Sequence, residues 1–187
     1  MKTAFILHGT ADEHEYFEMD FPSPSNAHWL PWLQQKFLRA GILCQTPEMP
    51  KPYNPVYKEW KNILDKFNNP DLSVIVGHST GAGFVLKWIH ENPNISLDKL
   101  VLVAPDIFTD ESTDGSFKFE LNKDALDKIK SIHLFSSSDD KSKSVQRSIK
   151  QIMEMYPNII HHNYTNMGHF NLRRTGLTFE DLWEVLK

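Results

Sequence analysis

Apolar positions along the chain fall into two alternating patterns. Short apolar runs predict strands over Thr3–Leu7, Ile42–Gln45, Ser73–Gly77, Leu100–Ala104, Ile132–Ser136 and Ile159–Asn163. The third and fourth, SVIVG and LVLVA, are apolar on both faces, as strands in the middle of a parallel sheet covered by helices must be. The sixth carries His161 and His162 and reads as an edge, with both histidines on the surface.

Between the strands, apolar residues recur with helical spacing. One helix is expected over Asn26–Ala40, stopped by Gly41, with Pro31 able to push its start later. A second is expected behind an Asn54 cap and Pro55, with Tyr57, Trp60, Ile63, Leu64 and Phe67 forming one stripe. Others are expected over Gly81–Asn92, briefly over Asn122–Lys128, over Lys143–Tyr156, and over Thr178–Leu186 behind a Thr-x-x-Asp start. Strand–helix alternation of this kind predicts an α/β fold, a three-layer α/β/α sandwich with right-handed crossovers. No repeat or linker divides the chain, so one domain is expected over residues 1–187. Residues 9–25 and 105–121 are long irregular stretches of the kind that carry function.

Composition changes this picture little. With 40% hydrophobic and 24% charged residues and a net charge of −4, the chain reads as an ordinary globular protein without a basic stripe for nucleic acid. Cys44 is the only cysteine, which excludes an intramolecular disulfide and a cysteine-based metal site. The apolar run before His8 is too short for a signal segment, and no stretch approaches the ~18 apolar residues of a membrane span. A cytoplasmic location and no membrane association are the expectation.

The chemistry concentrates in VIVGHSTGAGF, residues 74–84, which holds three of the chain's 8 glycines. Gly77-His78-Ser79-Thr80-Gly81 is a G-x-S-x-G elbow, following a buried strand and opening a helix. Side chains at 77 and 81 would collide across so tight a turn, and Gly83 would let the helix pack closely. A serine hydroxyl needs a base to take its proton and an acid to orient that base, in the chain order Ser, Asp or Glu, His on this fold. Asp139 and Asp140 follow the fifth strand, and His169 follows a glycine after the sixth. The oxyanion needs N–H donors, expected from Thr80 at the start of the helix and from Thr10 or a near neighbour in Leu7-His8-Gly9-Thr10.

The other histidines carry less. His8 ends the first strand and is expected to shape the pocket, whereas His78 is expected to point away from the serine. His14, His28, His90 and His133 show no partner pattern. HExxH spacing is absent and Asp12-Glu13-His14-Glu15 reads as a solvated loop, so no metal or other cofactor is expected.

The pieces ILHGT, HWLPWLQQKF, VGHSTGAG, VLVAP, FSSSDD and GHF span most of the chain. Together they resemble small α/β-hydrolases of the retinoblastoma-binding protein nine type. That resemblance implies catalytic Ser79, Asp140 and His169, choosing Asp140 from the Asp-Asp pair. It also implies a compact sheet in the order 2-1-3-4-5-6, with the site where the loops after strands one and three meet. Ile42-Leu43-Cys44-Gln45 is not a Leu-x-Cys-x-Glu docking motif, so the family's name predicts no such protein partner here.

Residues 105–121 are too few for a cap domain, which predicts an open site for a small or extended acyl substrate. Gly9, His8, Trp29, Trp32, Phe108, Phe117 and Phe170 are the candidates to line it. The expected activity is a carboxylesterase-like serine hydrolase acting on an ester, thioester or amide. The alternative is a hydrolase-fold binding module with little turnover.

Overall fold

The computed structural model describes residues 1–108 and 115–187, so residues 109–114 of the irregular 105–121 stretch lie outside the described residues. A six-stranded sheet runs in the order β2-β1-β3-β4-β5-β6, and every pairing is parallel. The strands are β1 Thr3–Leu7, β2 Leu43–Gln45, β3 Leu72–His78, β4 Leu97–Val103, β5 Ile129–Ser137 and β6 Ile160–Tyr164. Every residue of β1 and β3 is buried, because helices cover both faces of the sheet.

The helices are α1 Glu13–Phe17, α2 Leu30–Arg39, α3 Tyr57–Phe67, α4 Thr80–Glu91, α5 Lys143–Met155, α6 Leu172–Thr175 and α7 Glu180–Leu186, with a 3₁₀ turn over Pro24–Asn26. Helix α3 buries the Tyr57, Trp60 and Leu64 stripe, and α5 buries Val145, Ile149 and Ile152. Helix α4 has almost no solvent face, so it is apolar nearly all round. Trp60, Phe84 and Phe117 meet edge-on or tilted with ring centroids 5.5–6.3 Å apart, locking α3, α4 and the segment after Gly115 together. Phe117 therefore belongs to the core.

Several helix starts differ from the sequence expectation, each for a local reason. Helix α2 begins at Leu30 rather than Asn26, because His28 holds a left-handed backbone (φ 56°) that no helix can pass through. Helix α3 is capped from afar. Its Tyr57 N–H donates to Ser116 Oγ at 3.0 Å, and the helix starts after Val56 rather than at Asn54-Pro55. Helix α7 starts after Phe179, whose buried ring packs on Trp29, Phe135 and Phe170, and not at a Thr178 cap. Residues 122–128 form turns instead of a helix. Asn122 Oδ1 draws in the Asp124 N–H at 3.0 Å, and only Leu126 of the stretch is buried. The short α1 had no apolar signal, and Asp12 caps it by accepting the N–H groups of His14 and Glu15. That is the structural use of the acidic Asp12–Glu15 cluster.

Strand register brings Leu7, Gly77 and Leu102 level, and likewise His78, Val103 and Phe135. The carboxyl ends of β1, β3, β4 and β5 therefore open on one edge, with β1 between strands whose connections run in opposite directions. Among the described residues, no helix is long and apolar enough to cross a membrane.

The elbow's tolerance for bulk is a direct test of this packing. A Cβ at Gly77 would stand 2.5 Å from Ala82 Cα and 2.8 Å from Ala82 N, both backbone atoms that cannot swing away. Gly77→Ala should cost about 1–3 kcal/mol of stability, read as a lower urea midpoint with an unchanged slope.

Candidate active site

Ser79 sits between β3 and α4 with φ 54° and ψ −125°, a conformation that non-glycine residues rarely hold. Its backbone is tied on all sides. Its N–H donates to Val103 O at 2.9 Å, and its carbonyl accepts the N–H groups of Ala82, Gly83 and Asp106 at 3.0, 3.2 and 3.1 Å. The glycines around it divide the work differently from the sequence expectation. Gly77 does keep clear of Ala82 across the turn. A Cβ at Gly81 would instead strike the His8 carbonyl, so that glycine lets α4 approach the end of β1. Gly9, on the loop after β1, lies against the serine itself. A Cβ there would stand 2.8 Å from Ser79 Cβ and 3.3 Å from Ser79 Oγ.

Three side chains from three strand ends form one hydrogen-bonded line. The Ser79 hydroxyl donates to His169 Nε2 at 2.9 Å, and His169 Nδ1–H donates to Asp140 Oδ2 at 2.8 Å. The Asp140 side chain is only 4% exposed, and its other oxygen accepts the Ser142 N–H at 2.9 Å. Of the adjacent acids, Asp140 reaches the ring. Asp139 does not; it accepts the Gly168 N–H at 2.8 Å.

The loop carrying His169 is held by groups that the sequence did not single out for this. His78 is buried, and its Nε2–H donates to the His169 carbonyl at 2.9 Å, so its ring braces the histidine loop from below. Trp29 Nε1–H donates to the Phe170 carbonyl at 3.0 Å, and the Leu172 N–H reaches His28 Nδ1 at 3.1 Å. Gly168 and Phe170, on either side of His169, both have positive φ, 51° and 54°. The only sequence signals were a tryptophan near a proline and a histidine inside the elbow.

These contacts correct the expected pocket. Trp29 and Phe170 are fully buried core residues rather than pocket walls. His8 is buried and ties the loop after β1 to the segment before Pro50: Nδ1–H donates to Gly9 O at 2.7 Å, and Nε2 accepts the Met49 N–H at 2.9 Å. Phe108 lines a separate groove of about 860 Å³ with Leu121, Gln151 and Met155, its ring 3.7 Å from the Arg147 guanidinium. Trp32 is half-buried, with the Lys36 ammonium 5.0 Å from its ring. Of the expected wall residues, Gly9 is the one whose added side chain would strike Ser79. Thr80 opens α4 and is buried, while Thr10 is exposed on the loop, one residue before the Ala11 N–H that Pro52 O accepts at 3.3 Å.

The serine hydrolase family matches residues 21–187. The chain belongs to that family. This serine hydrolase is 26% identical over 149 residues to YdeN of Bacillus subtilis (strain 168), which bears a hydrolase designation, across 74% of this chain and 71% of YdeN. In three dimensions it is similar to the crystal structure of the B. subtilis ydeN gene product, with a TM-score of 0.80 at 20% identity over 100% of this chain and 97% of that one. The Pyrococcus furiosus esterase Pf2001 shares the fold at a TM-score of 0.54 and 18% identity, covering 99% of the hydrolase and 78% of Pf2001. Family membership and fold agree with the geometry around Ser79. The family match begins after β1, so Gly9 and Thr10 are placed by the structure alone.

Burial sets the charge state of the surrounding rings. Desolvation holds His78 well below the ordinary histidine value, with the neighbouring His169 ring adding to the effect. Desolvation also lowers His8, opposed by its bond to Gly9 and by Glu48. Both rings are neutral in the fold, so the unfolded chain binds the extra protons. Native stability is at full advantage above the ordinary histidine pKa of about 6.5 and is lost as pH falls below it. Followed from about pH 7.5 to about pH 5.5, Tm should drop. His78→Gln, which keeps a side-chain N–H for the His169 carbonyl, should flatten the drop; an equal slope in both proteins would remove His78 from the account.

Proposed function

We propose that this serine hydrolase is a carboxylesterase-like enzyme of the retinoblastoma-binding protein nine type, cleaving a small or extended acyl ester through an acyl-enzyme. The observation that carries the reading is the line Ser79 Oγ, His169 Nε2, His169 Nδ1, Asp140 Oδ2, with both links under 3.0 Å. Ser79 Oγ attacks the substrate carbonyl as its proton passes to His169 Nε2. The imidazolium that forms keeps its Nδ1–H on Asp140, which stays ionised and stabilises the charge. His169 then returns the proton to the leaving alkoxide. Water attacks the acyl-Ser79 ester by the same route in reverse, releasing acid and free enzyme. The tetrahedral oxyanion is held by the N–H of Thr80, at the positive end of α4, and by that of Thr10.

The contact of Gly9 with Ser79 supports a close approach of the first loop to the reacting carbon. The esterase Pf2001 shares the fold, which favours esters over amides as the first substrates to try. No protein partner is invoked, and the site works within one domain, in the cytoplasm, without metal or organic cofactor.

Fluorophosphonate labelling followed by mapping of the modified residue tests the nucleophile. Label on Ser79 that disappears in His169→Ala is expected, and label elsewhere would return the protein to the binding-module reading. With p-nitrophenyl esters, Ser79→Ala should lower kcat by about 10⁴–10⁶-fold. Acetate and butyrate esters should be hydrolysed at least as well as long-chain esters; a marked long-chain preference would contradict the small-substrate assignment.

A further inference from the structure

Asp139 is left over once Asp140 is paired with His169, yet it is bonded as fully as its neighbour. Its Oδ1 accepts the Ser137 hydroxyl at 2.5 Å and the Gly168 N–H at 2.8 Å, and its Oδ2 lies 3.5 Å from Arg174 Nη2. Ser137 Oγ in turn accepts the Met167 N–H at 3.0 Å. The N–H groups of the two residues immediately before His169 are thus both received by one Ser137–Asp139 unit on the end of β5. Arg174 closes the arrangement from outside, its Cγ 3.2 Å from where a Gly168 Cβ would stand. Its partly exposed charge adds little by itself.

The geometry points to Asp139 as a positioning residue for the reaction: it fixes the backbone that carries His169 to the same turn that carries Asp140. The inference rests on the Ser79–His169–Asp140 reading. Asp139 and Asp140 occupy one tight turn, closed by the Asp140 N–H on Ser137 O at 3.1 Å. One acid orients the imidazole while its neighbour sets where the imidazole starts. His78 and Trp29 hold the far side of the same loop through the His169 and Phe170 carbonyls. Without Asp139 the Gly168 N–H loses its acceptor and Ser137 loses the group that orients its hydroxyl, leaving the Met167 N–H on Ser137 as the near-side backbone tie, and the ring can drift by a fraction of an ångström. Displacements near 1 Å cost on the order of 10²-fold in rate. Asp139 touches none of the groups proposed to react. Its carboxylate is held in the ionised, accepting form by the Ser137 and Gly168 hydrogen bonds, which lower its pKa.

The test compares Asp139→Ala with Asp139→Asn, which keeps an oxygen for Gly168 and Ser137 but drops the charge. With p-nitrophenyl acetate, Asp139→Ala should lower kcat by roughly 10–100-fold with KM within about twofold. Asp139→Asn should recover kcat to within about threefold of wild type. Proton NMR of the His169 Nδ1–H, bonded to Asp140 in the folded protein, supplies a second readout beside activity. The resonance should shift or broaden in Asp139→Ala and return in Asp139→Asn. Wild-type kcat and an unmoved resonance in Asp139→Ala would overturn the assignment, as would Asp139→Asn proving as slow as Asp139→Ala. Should Asp139→Ala fail to fold, Ser137→Ala reads the same link, and wild-type behaviour there sinks the proposal. Wild-type enzyme that takes no fluorophosphonate on Ser79 would instead sink the hydrolytic reading, while the resonance still reports where Asp139 holds the ring.

Discussion

The left-handed backbone of Ser79 is the constraint on which the rest of the molecule depends. A non-glycine residue in such a conformation costs of order 1–3 kcal/mol and persists only when its surroundings over-determine it. Here the surroundings do so through four backbone hydrogen bonds, one from the serine N–H to β4 and three received by its carbonyl from α4 and the loop after β4. Those bonds require α4, β4 and the loop after β4 to crowd around one residue, and the β1 loop packs against it as well. The crowding explains why positions 77, 81 and 9 are glycine and why α4 is almost wholly buried.

A second layer of constraint acts on the histidine. His169 lies on a loop whose neighbours take positive φ, so local propensity alone would not hold it. It is held by tertiary bonds: His78 and Trp29 on one side, Ser137 and Asp139 on the other. His78 does this as a neutral ring, because full burial and the neighbouring His169 ring disfavour its charged form more than its bond to the His169 carbonyl favours it. The residue preceding the serine thus links the elbow to the loop that brings up its partner.

The central strands, the elbow around Ser79 and the strand-end placement of the Asp139-Asp140 pair and His169 were legible because each is written locally, whereas the sheet order came from the family resemblance. Apolar runs mark strands, glycines mark the elbow, and strand ends mark where side chains can meet. Asp140 was distinguished from Asp139 by resemblance alone, since nothing in the dipeptide says which carboxylate faces the ring. The start of α3 was illegible because its first N–H is satisfied by Ser116, far along the chain. Trp29 and Phe170 were misread for the same kind of reason. Large aromatics on a helix end and a loop suit either a pocket or a core, and it is the mutual packing of Trp29, Phe170 and Phe179 that decides.

The contact between Gly9 and Ser79 has a bearing on how this chain comes into being. The loop after the first strand packs against the serine, and the loop after the last strand supplies the histidine bonded to it. A ribosome makes the first long before the second, and domains generally fold as units. The emerging polypeptide therefore carries Ser79 without its histidine partner until residue 169 has left the exit tunnel. The hydrogen bond between Ser79 and His169 can form only after both of these loops have been made.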